Sequence, residues 1–100
     1  MHFTPREVDK LMVYTLAMVA QRRKDDGLML NHPETVSLIS VAALDGARAG
    51  KTVEEVMELA SKVITRDDVM EGVADMIPYV QIEAVFTDGS RLITVHDPIK

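Results

Sequence analysis

The segment Asn31–Gly50, NHPETVSLISVAALDGARAG, predicts the helix around which the rest of the chain packs. Asn31 is a favourable N-cap, Glu34 three residues later completes a capping box, and Pro33 falls in the first turn, where no N–H is needed. Beyond this cap the segment is apolar on nearly every side, with only small hydroxyl residues between. A helix that is apolar all round is normally buried on several faces. The segment is too short for a membrane span, so we predict a central core helix.

Composition limits the class of protein. The chain has 100 residues, 47% of them hydrophobic and 27% charged, which is typical of one soluble globular domain over residues 1–100. Its net charge of -5 argues against a nucleic-acid-binding surface. The absence of cysteine excludes disulfides and thiolate metal sites. Because the first ten residues, MHFTPREVDK, are polar and charged, we expect no signal peptide and a cytoplasmic protein.

A second helix is predicted before the central one. Thr4, Pro5 and Glu7 repeat the capping signal, and the run of cations Arg22–Lys24 matches the dipole at the helix end. We interpret these cations as a solvated helix end and not as an anion site, since two aspartates follow and no aromatic residue intervenes. Apolar residues recur at helical spacing, which predicts that they pack in the core: Val8, Leu11, Met12, Met18 and Val19, with Thr15 among them. For the same reason we assign Met12, Met18 and Met57 to packing and not to an adaptable binding surface.

A third helix follows Gly50, with Thr52 and Glu55 as its capping box. The tripeptide Gly-Lys-Thr at this point resembles a phosphate-binding loop, but the spacing from Gly46 to Gly50 is one residue short and no strand precedes it. The helix-cap interpretation is therefore favoured over a nucleotide site. The helix shows one apolar stripe, made of Val53, Val56, Met57, Ala60, Val63 and Ile64.

From Tyr79 the apolar period changes to two, which predicts strands. Asp88 and Gly89 are typical of a two-residue hairpin turn, with Thr87 opposite Ser90. This register places Val85 opposite Leu92 on the outer face, and it gives an inner apolar face made of Val80, Ile82, Ala84, Phe86, Ile93 and Val95. The predicted fold class is therefore α+β, a three-helix bundle followed by a C-terminal antiparallel β-hairpin.

Few residues are candidates for chemistry. His2, His32 and His96 are scattered and none has a second ligand four residues away. Asp67 and Asp68 are adjacent, but a helix cap is the commoner use of such a pair than acid–base catalysis or a metal ion. No serine lies in a nucleophile elbow and no glycine-rich loop follows a strand. The residues themselves predict no catalytic, cofactor-binding or metal site.

Long segments along the whole chain resemble the gamma subunit of bacterial urease. The chain departs from that family's usual pattern at Ala74, where proline is frequent, and at Met29, where a basic residue is common. The matching segments are Phe3–Glu7, Leu30–Glu34, Asp45–Arg48, Gly50–Val53, Arg66–Val73, Val80–Phe86, Asp88–Gly89 and Thr94–Ile99.

The resemblance implies membership of a hydrolase of urea degradation and nitrogen metabolism, which converts urea to ammonia and carbamate. In that family two nickel ions, a bridging carbamylated lysine and the catalytic histidines belong to the large alpha subunit. The gamma chain joins alpha and beta chains in a trimer of heterotrimers. For this chain the resemblance implies a non-catalytic subunit with no cofactor of its own. We expect no binding of nucleic acid and no membrane association. Two alternatives stay open: a stand-alone acidic protein-interaction domain, and a small independent enzyme that uses Asp67, Asp68 or His96.

The hairpin is the predicted contact with a partner. Two strands are not stable alone and leave two unpaired edges. The outer face is polar except for Val85 and Leu92, and the family's assembly favours a contact there. The hypothesis is that another urease chain binds an interface made of Gln81, Glu83, Val85, Leu92 and Thr94.

Overall fold

The second helix lies at the centre of the molecule, where it packs against the first helix, the third helix and the first strand. The computed structural model describes all 100 residues, Met1 to Lys100. Three long helices precede an antiparallel hairpin, as predicted. A 3₁₀ turn and a one-turn helix lie between the third long helix and the hairpin. The elements are α1 (Pro5–Asp25), α2 (His32–Arg48), α3 (Val53–Ala60), the 3₁₀ turn (Arg66–Asp68), α4 (Val73–Met76), β1 (Tyr79–Phe86) and β2 (Gly89–His96).

All three long helices begin with the predicted capping box. At α3, Thr52 Oγ1 accepts a hydrogen bond from the Glu55 N–H at 3.2 Å, and a Glu55 carboxylate oxygen accepts one from the Thr52 N–H at 2.9 Å. Gly50 just before this cap has a φ of 90°, a conformation that glycine adopts without strain. The Gly-Lys-Thr segment is therefore a helix-to-helix junction, which confirms the cap interpretation.

Helix α2 carries the centre of the core, as predicted. Two of its buried hydroxyl groups bond to carbonyl groups one turn earlier: Thr35 Oγ1 donates to the Asn31 carbonyl and Ser37 Oγ to the Glu34 carbonyl, both at 2.7 Å. Buried hydroxyls with such partners are compatible with an apolar environment. Five apolar residues of α2 belong to the core cluster of 20 buried residues: Leu38, Ile39, Ala43, Leu44 and Ala47.

Gly46 lets α2 and α3 approach each other closely. A Cβ atom added at Gly46 would lie 3.0 Å from Cγ2 of Val56, which is a fully buried residue of α3. Contacts that short are essentially repulsive in a packed core. Packing against Val56 therefore accounts for the glycine at this position without a phosphate ligand.

Helix α3 is shorter than its apolar stripe predicted, because it ends at Ala60. The chain turns at Ser61, and Ile64 forms a parallel bridge with Ile99 near the C-terminus. Ile64 is still buried, but it reaches the core as extended chain beside the tail. The extension of this helix to Ile64 is therefore wrong.

The hairpin turn is one residue earlier than predicted. Phe86 pairs with Gly89, so Thr87 and Asp88 form the turn, and the predicted pairing of Thr87 with Ser90 is wrong. The common two-residue hairpin turn requires positive φ at both central residues. Here neither Thr87 nor Asp88 has positive φ, whereas Gly89, the first residue of β2, has it at 124°. Because each partner shifts by two residues, the same side chains stay on each face of the hairpin.

The inner face of the hairpin packs on α2 and α3 as predicted. Ile82 is partly buried and packs against the core cluster. The other predicted inner residues are buried, namely Val80, Ala84, Phe86, Ile93 and Val95. One face of the hairpin therefore lies on the helices, and its other face is free of contacts within the chain apart from those described below.

Candidate partner-binding surfaces

The outer face of the hairpin contains all five residues of the sequence-predicted interface. Val85 and Leu92 expose 57% and 66% of their surface. In the observed register Leu92 faces Glu83 and Val85 faces Ser90, so the two apolar residues are diagonal neighbours and the predicted direct pair is wrong. Diagonal neighbours on one face of a hairpin are still within reach of each other. The structure therefore forms one small apolar patch on an otherwise polar face.

The polar residues of this face are already hydrogen-bonded or paired within the chain. Gln81 Nε2 donates to Thr94 Oγ1 at 3.3 Å across the strands. The Glu83 carboxylate lies 3.5 Å from Arg6 Nη1, which reaches it from α1. Both partners of this ion pair are exposed, so the pair contributes little stability. A partner at this face would meet groups whose positions are set by neighbouring side chains.

Helix α1 carries a larger exposed apolar surface, which the sequence interpretation missed. The side of α1 that faces the core is formed by Ala17 and Ala20, both buried. Met12 and Met18 expose 65% and 69% of their surface, so their assignment to core packing is wrong, whereas Met57 is partly buried. We call the exposed set the α1 outer face: Val8, Leu11, Met12, Thr15, Met18 and Val19.

The signal for this arrangement lies in residue size. Two alanines three positions apart mark the side of a helix on which a neighbouring helix approaches closely. The larger apolar residues of α1 then remain on the other side, where no element of this chain covers them. Spacing alone does not distinguish the two sides, because both are apolar.

Two polar contacts hold α1 on α2. Tyr14 Oη donates to Asp45 Oδ1 at 2.8 Å, and the Arg23 guanidinium pairs with the buried carboxylate of Glu34. Burial, together with the bond to Asp45 and its negative charge, raises the pKa of Tyr14 to about 12. The Asn31 N–H, which donates to the carboxylate, lowers the pKa of Glu34; burial opposes this effect and Arg23 adds to it.

The candidate chemical residues lie apart. His2 precedes α1, His32 begins α2, and His96 ends β2 with its ring 6.5 Å from that of Tyr79. Asp68 accepts from the Thr65 N–H at 2.9 Å, so it has the capping role that the sequence predicted. No group of three or more His, Asp or Glu side chains is placed to hold a metal ion. No helix is both long and apolar enough to cross a membrane.

A polar cleft of about 300 Å³ lies between the start of α3 and the hairpin turn. Its cations are Lys51 and Arg91, and the Arg91 guanidinium already pairs with Asp88 at 2.6 Å. That pairing lowers the pKa of Asp88, which keeps the carboxylate charged beside the arginine. Thr52 and Glu55 satisfy two N–H groups at the helix end, and Lys51 is then the one cation of the cleft without a carboxylate within ion-pair distance.

Residues 1–99 match the protein family described as "Urease, gamma subunit". A protein named "Urease subunit gamma" from Laribacter hongkongensis (strain HLHK9) is 72% identical over 100 residues, which cover 100% of both chains. The chain belongs to the urease gamma subunit family. Proteins of the same name from Yersinia rohdei and Yersinia pestis (strain Pestoides F) are 70% and 69% identical, again over 100% of both chains.

Membership of the urease gamma subunit family confirms the resemblance stated from the sequence. The match includes every element described above, from the first capping box to the second strand. Two surfaces of this family member expose apolar side chains on regular elements and are considered further, namely the hairpin outer face and the α1 outer face.

Proposed function

We propose that this chain is the non-catalytic gamma subunit of a cytoplasmic, nickel-dependent urease, which hydrolyses urea to ammonia and carbamate. It joins alpha and beta chains in a trimer of heterotrimers and supports the assembly of that complex. The observation that carries the proposal is the 72% identity over the full length of a urease subunit gamma. Identity this high over entire chains favours a shared role as well as a shared fold.

The donor groups of this chain do not fit a nickel site. Its three histidines lie on different parts of the fold, and the chain has no cysteine. Nickel and zinc sites in proteins need several nitrogen, oxygen or sulfur ligands converging on one point. The resemblance to the urease family implies that the nickel ions and the reacting groups belong to the alpha chain, and we derive no catalytic step from the residues of this one.

The hairpin outer face is the first proposed contact with another urease chain. Val85 and Leu92 are its exposed apolar residues, and Gln81, Glu83 and Thr94 surround them. Interfaces commonly have an apolar centre within a polar rim, and this face has that arrangement on a small scale. The strand edges add unpaired backbone groups that a partner can satisfy.

The test is co-expression of this chain with the alpha and beta chains, followed by purification through the alpha chain. We expect equal amounts of the three chains and a mass that fits a trimer of heterotrimers. The purified single chain should hydrolyse no urea and retain no nickel after dialysis. An active complex that forms at normal yield without this chain would overturn the proposal. It would favour the alternative of a stand-alone acidic interaction domain.

The hairpin contact is tested by Val85→Lys combined with Leu92→Asp. Both residues are exposed, so the isolated variant should remain folded by circular dichroism, while incorporation into the complex should fall at least tenfold. The matched control is Glu58→Lys with Lys62→Asp, which exchanges the charges of an exposed pair formed by Glu58 of α3 and Lys62 just after it, and also leaves the net charge unchanged. Incorporation of the hairpin variant at wild-type yield would show that this face is not an interface.

A further inference from the structure

The α1 outer face is a row of exposed apolar side chains along one side of a single helix. Leu11, Met12 and Met18 each expose more than half of their surface, and Val8 and Val19 about two-fifths. Together these five side chains present roughly 500 Å² of apolar surface, within the range of the largest patch on a monomer, which is often functional. A standard interface buries about 800 Å² on each partner, somewhat more than half of it non-polar. The apolar area of the α1 outer face is thus similar to the apolar part of one half of such an interface.

Two clefts extend this surface towards the middle of the molecule. One, of about 480 Å³, lies along α1 and is lined by Met12, Val13, Thr15, Leu16 and Val19. The other, of about 290 Å³, shares Val13 and Leu16 and continues between α1 and the start of α2. These depressions are shallow and open, and the flexible side chains of Met12 and Met18 can adapt to the shape of a partner that lies on α1.

The α1 outer face also carries a cation, Arg22. Arg22 lies one helical turn beyond Met18 and Val19, on the same side of α1 and exposed. Unlike Arg23, which pairs with Glu34, Arg22 has no carboxylate within ion-pair distance in this chain. The surface that covers α1 is therefore expected to place an acidic group opposite Arg22.

We propose that the α1 outer face is a docking surface for a urease chain other than gamma, through an apolar surface that presents a carboxylate to Arg22. The proposal rests on the proposed function and adds a second contact to the hairpin outer face. A second copy of this chain fits less well. In a symmetric pair the same face meets itself, and this face contains no acidic residue for Arg22. The net charge of -5 on each copy opposes such a pair as well.

The test uses the complex co-expressed as above. Met12→Lys places a charge in the centre of the face and should reduce incorporation at least tenfold, while the isolated chain stays folded. Asp9→Asn is the matched control, because it adds the same unit of positive charge at an exposed position of α1 outside the face and should leave incorporation unchanged. Arg22→Gln should weaken incorporation several-fold and reduce its sensitivity to salt.

Methionine oxidation by hydrogen peroxide gives a direct readout in the wild-type chain. Met12 and Met18 should oxidise readily in the isolated chain and at least fivefold more slowly in the complex. Equal rates in both states, or incorporation of Met12→Lys at wild-type yield, would overturn the proposal. If the wild-type chain itself does not incorporate, it is the proposed function that fails. A wild-type chain that is dimeric alone, with Met12→Lys monomeric yet incorporated normally, would assign the face to a second copy and overturn the proposal.

Discussion

The phenol of Tyr14 in α1 donates a hydrogen bond to the carboxylate of Asp45 in α2 at 2.8 Å, across 31 positions of sequence. Because the pKa of Tyr14 is raised from 10.0 to about 12, the contribution of the protonated phenol to stability is complete below pH 10. It is lost as the pH rises through the folded-state pKa. This contact makes the seam between α1 and α2 sensitive to strong alkali but not to pH near neutrality.

We expect Tyr14→Phe to lower the free energy of unfolding by about 1 kcal/mol near pH 8, the usual net value of one hydrogen bond. The difference from the wild type should shrink between the two pKa values, 10.0 and about 12. Titration of phenolate absorbance should show one late-titrating tyrosine that Tyr14→Phe removes. Asp45→Asn should lower the pKa of Tyr14 only in part, because burial is the larger cause. An unchanged titration in Asp45→Asn would show that the hydrogen bond has no effect on the phenol.

Glu34 is a nearly fully buried carboxylate, and its substitution should be the more damaging one at the same seam. Glu34→Ala removes the cap on Asn31 and the partner of Arg23, and should cost about 2 kcal/mol, as for hydrogen bonds to charged groups. Glu34→Gln keeps the capping geometry and should cost about half as much, since Arg23 is half exposed and its pairing is screened.

The contribution of Glu34 to stability depends on pH in the opposite sense to that of Tyr14. Because the pKa of Glu34 is lower in the folded chain than its ordinary 4.5, its stabilising effect is present above that value. It is lost as the pH falls through the folded-state pKa. Denaturant unfolding from neutral to acid pH should therefore show a smaller acid destabilisation in Glu34→Gln than in the wild type. Parallel curves for the two proteins would contradict this assignment.

Gly46→Ala tests the close approach of α2 and α3. Alanine gains about 1 kcal/mol over glycine inside a helix, whereas overpacking of a core costs about 1–3 kcal/mol. With Val56 Cγ2 only 3.0 Å from the added Cβ, we expect a net loss of about 1 kcal/mol. In a Val56→Ala background the methyl group is absent, and Gly46→Ala should stabilise the protein instead. The same effect in both backgrounds would mean that the two residues are not coupled.

Thr52→Ala tests the junction between α2 and α3. Loss of this N-cap should cost about 1 kcal/mol in thermal or denaturant unfolding, and Thr52→Ser, which keeps the hydroxyl, should cost much less. ATP or inorganic phosphate should not change the melting temperature of the wild type. Stabilisation by either, abolished in Thr52→Ala, would restore the phosphate-loop interpretation.

Local signals in the sequence were sufficient for the elements and their order. Capping boxes at Thr4, Asn31 and Thr52 act within four residues, and the change to a period of two at Tyr79 is equally local. The resemblance carried by long segments identified the family. The burial of α2 on several sides also followed from its own residues, because it has no polar stripe to turn towards water.

The tertiary structure alone decided which side of α1 faces the core. Both sides of this helix are apolar, so burial depends on which one fits the surface of α2, and the small side chains of Ala17 and Ala20 allow the closer approach. The larger side chains, Met12 and Met18 among them, are then left exposed. The role of Gly46 is likewise visible only in the tertiary structure, because it depends on Val56 lying against it. The pairing of Arg23 with Glu34 is a tertiary contact of the same kind.

For the hairpin, too, the sequence determined some features and the structure others. Alternation assigned each side chain to a face, because the period of a strand is a property of its own backbone. The observed register differs from the predicted one: of Asp88 and Gly89, the two residues expected to form the turn, only Gly89 adopts positive φ, and the turn lies one residue earlier. Sequence therefore determined what each segment is, through interactions within a few residues. Tertiary structure determined which surfaces meet, because close packing selects among faces that are locally equivalent.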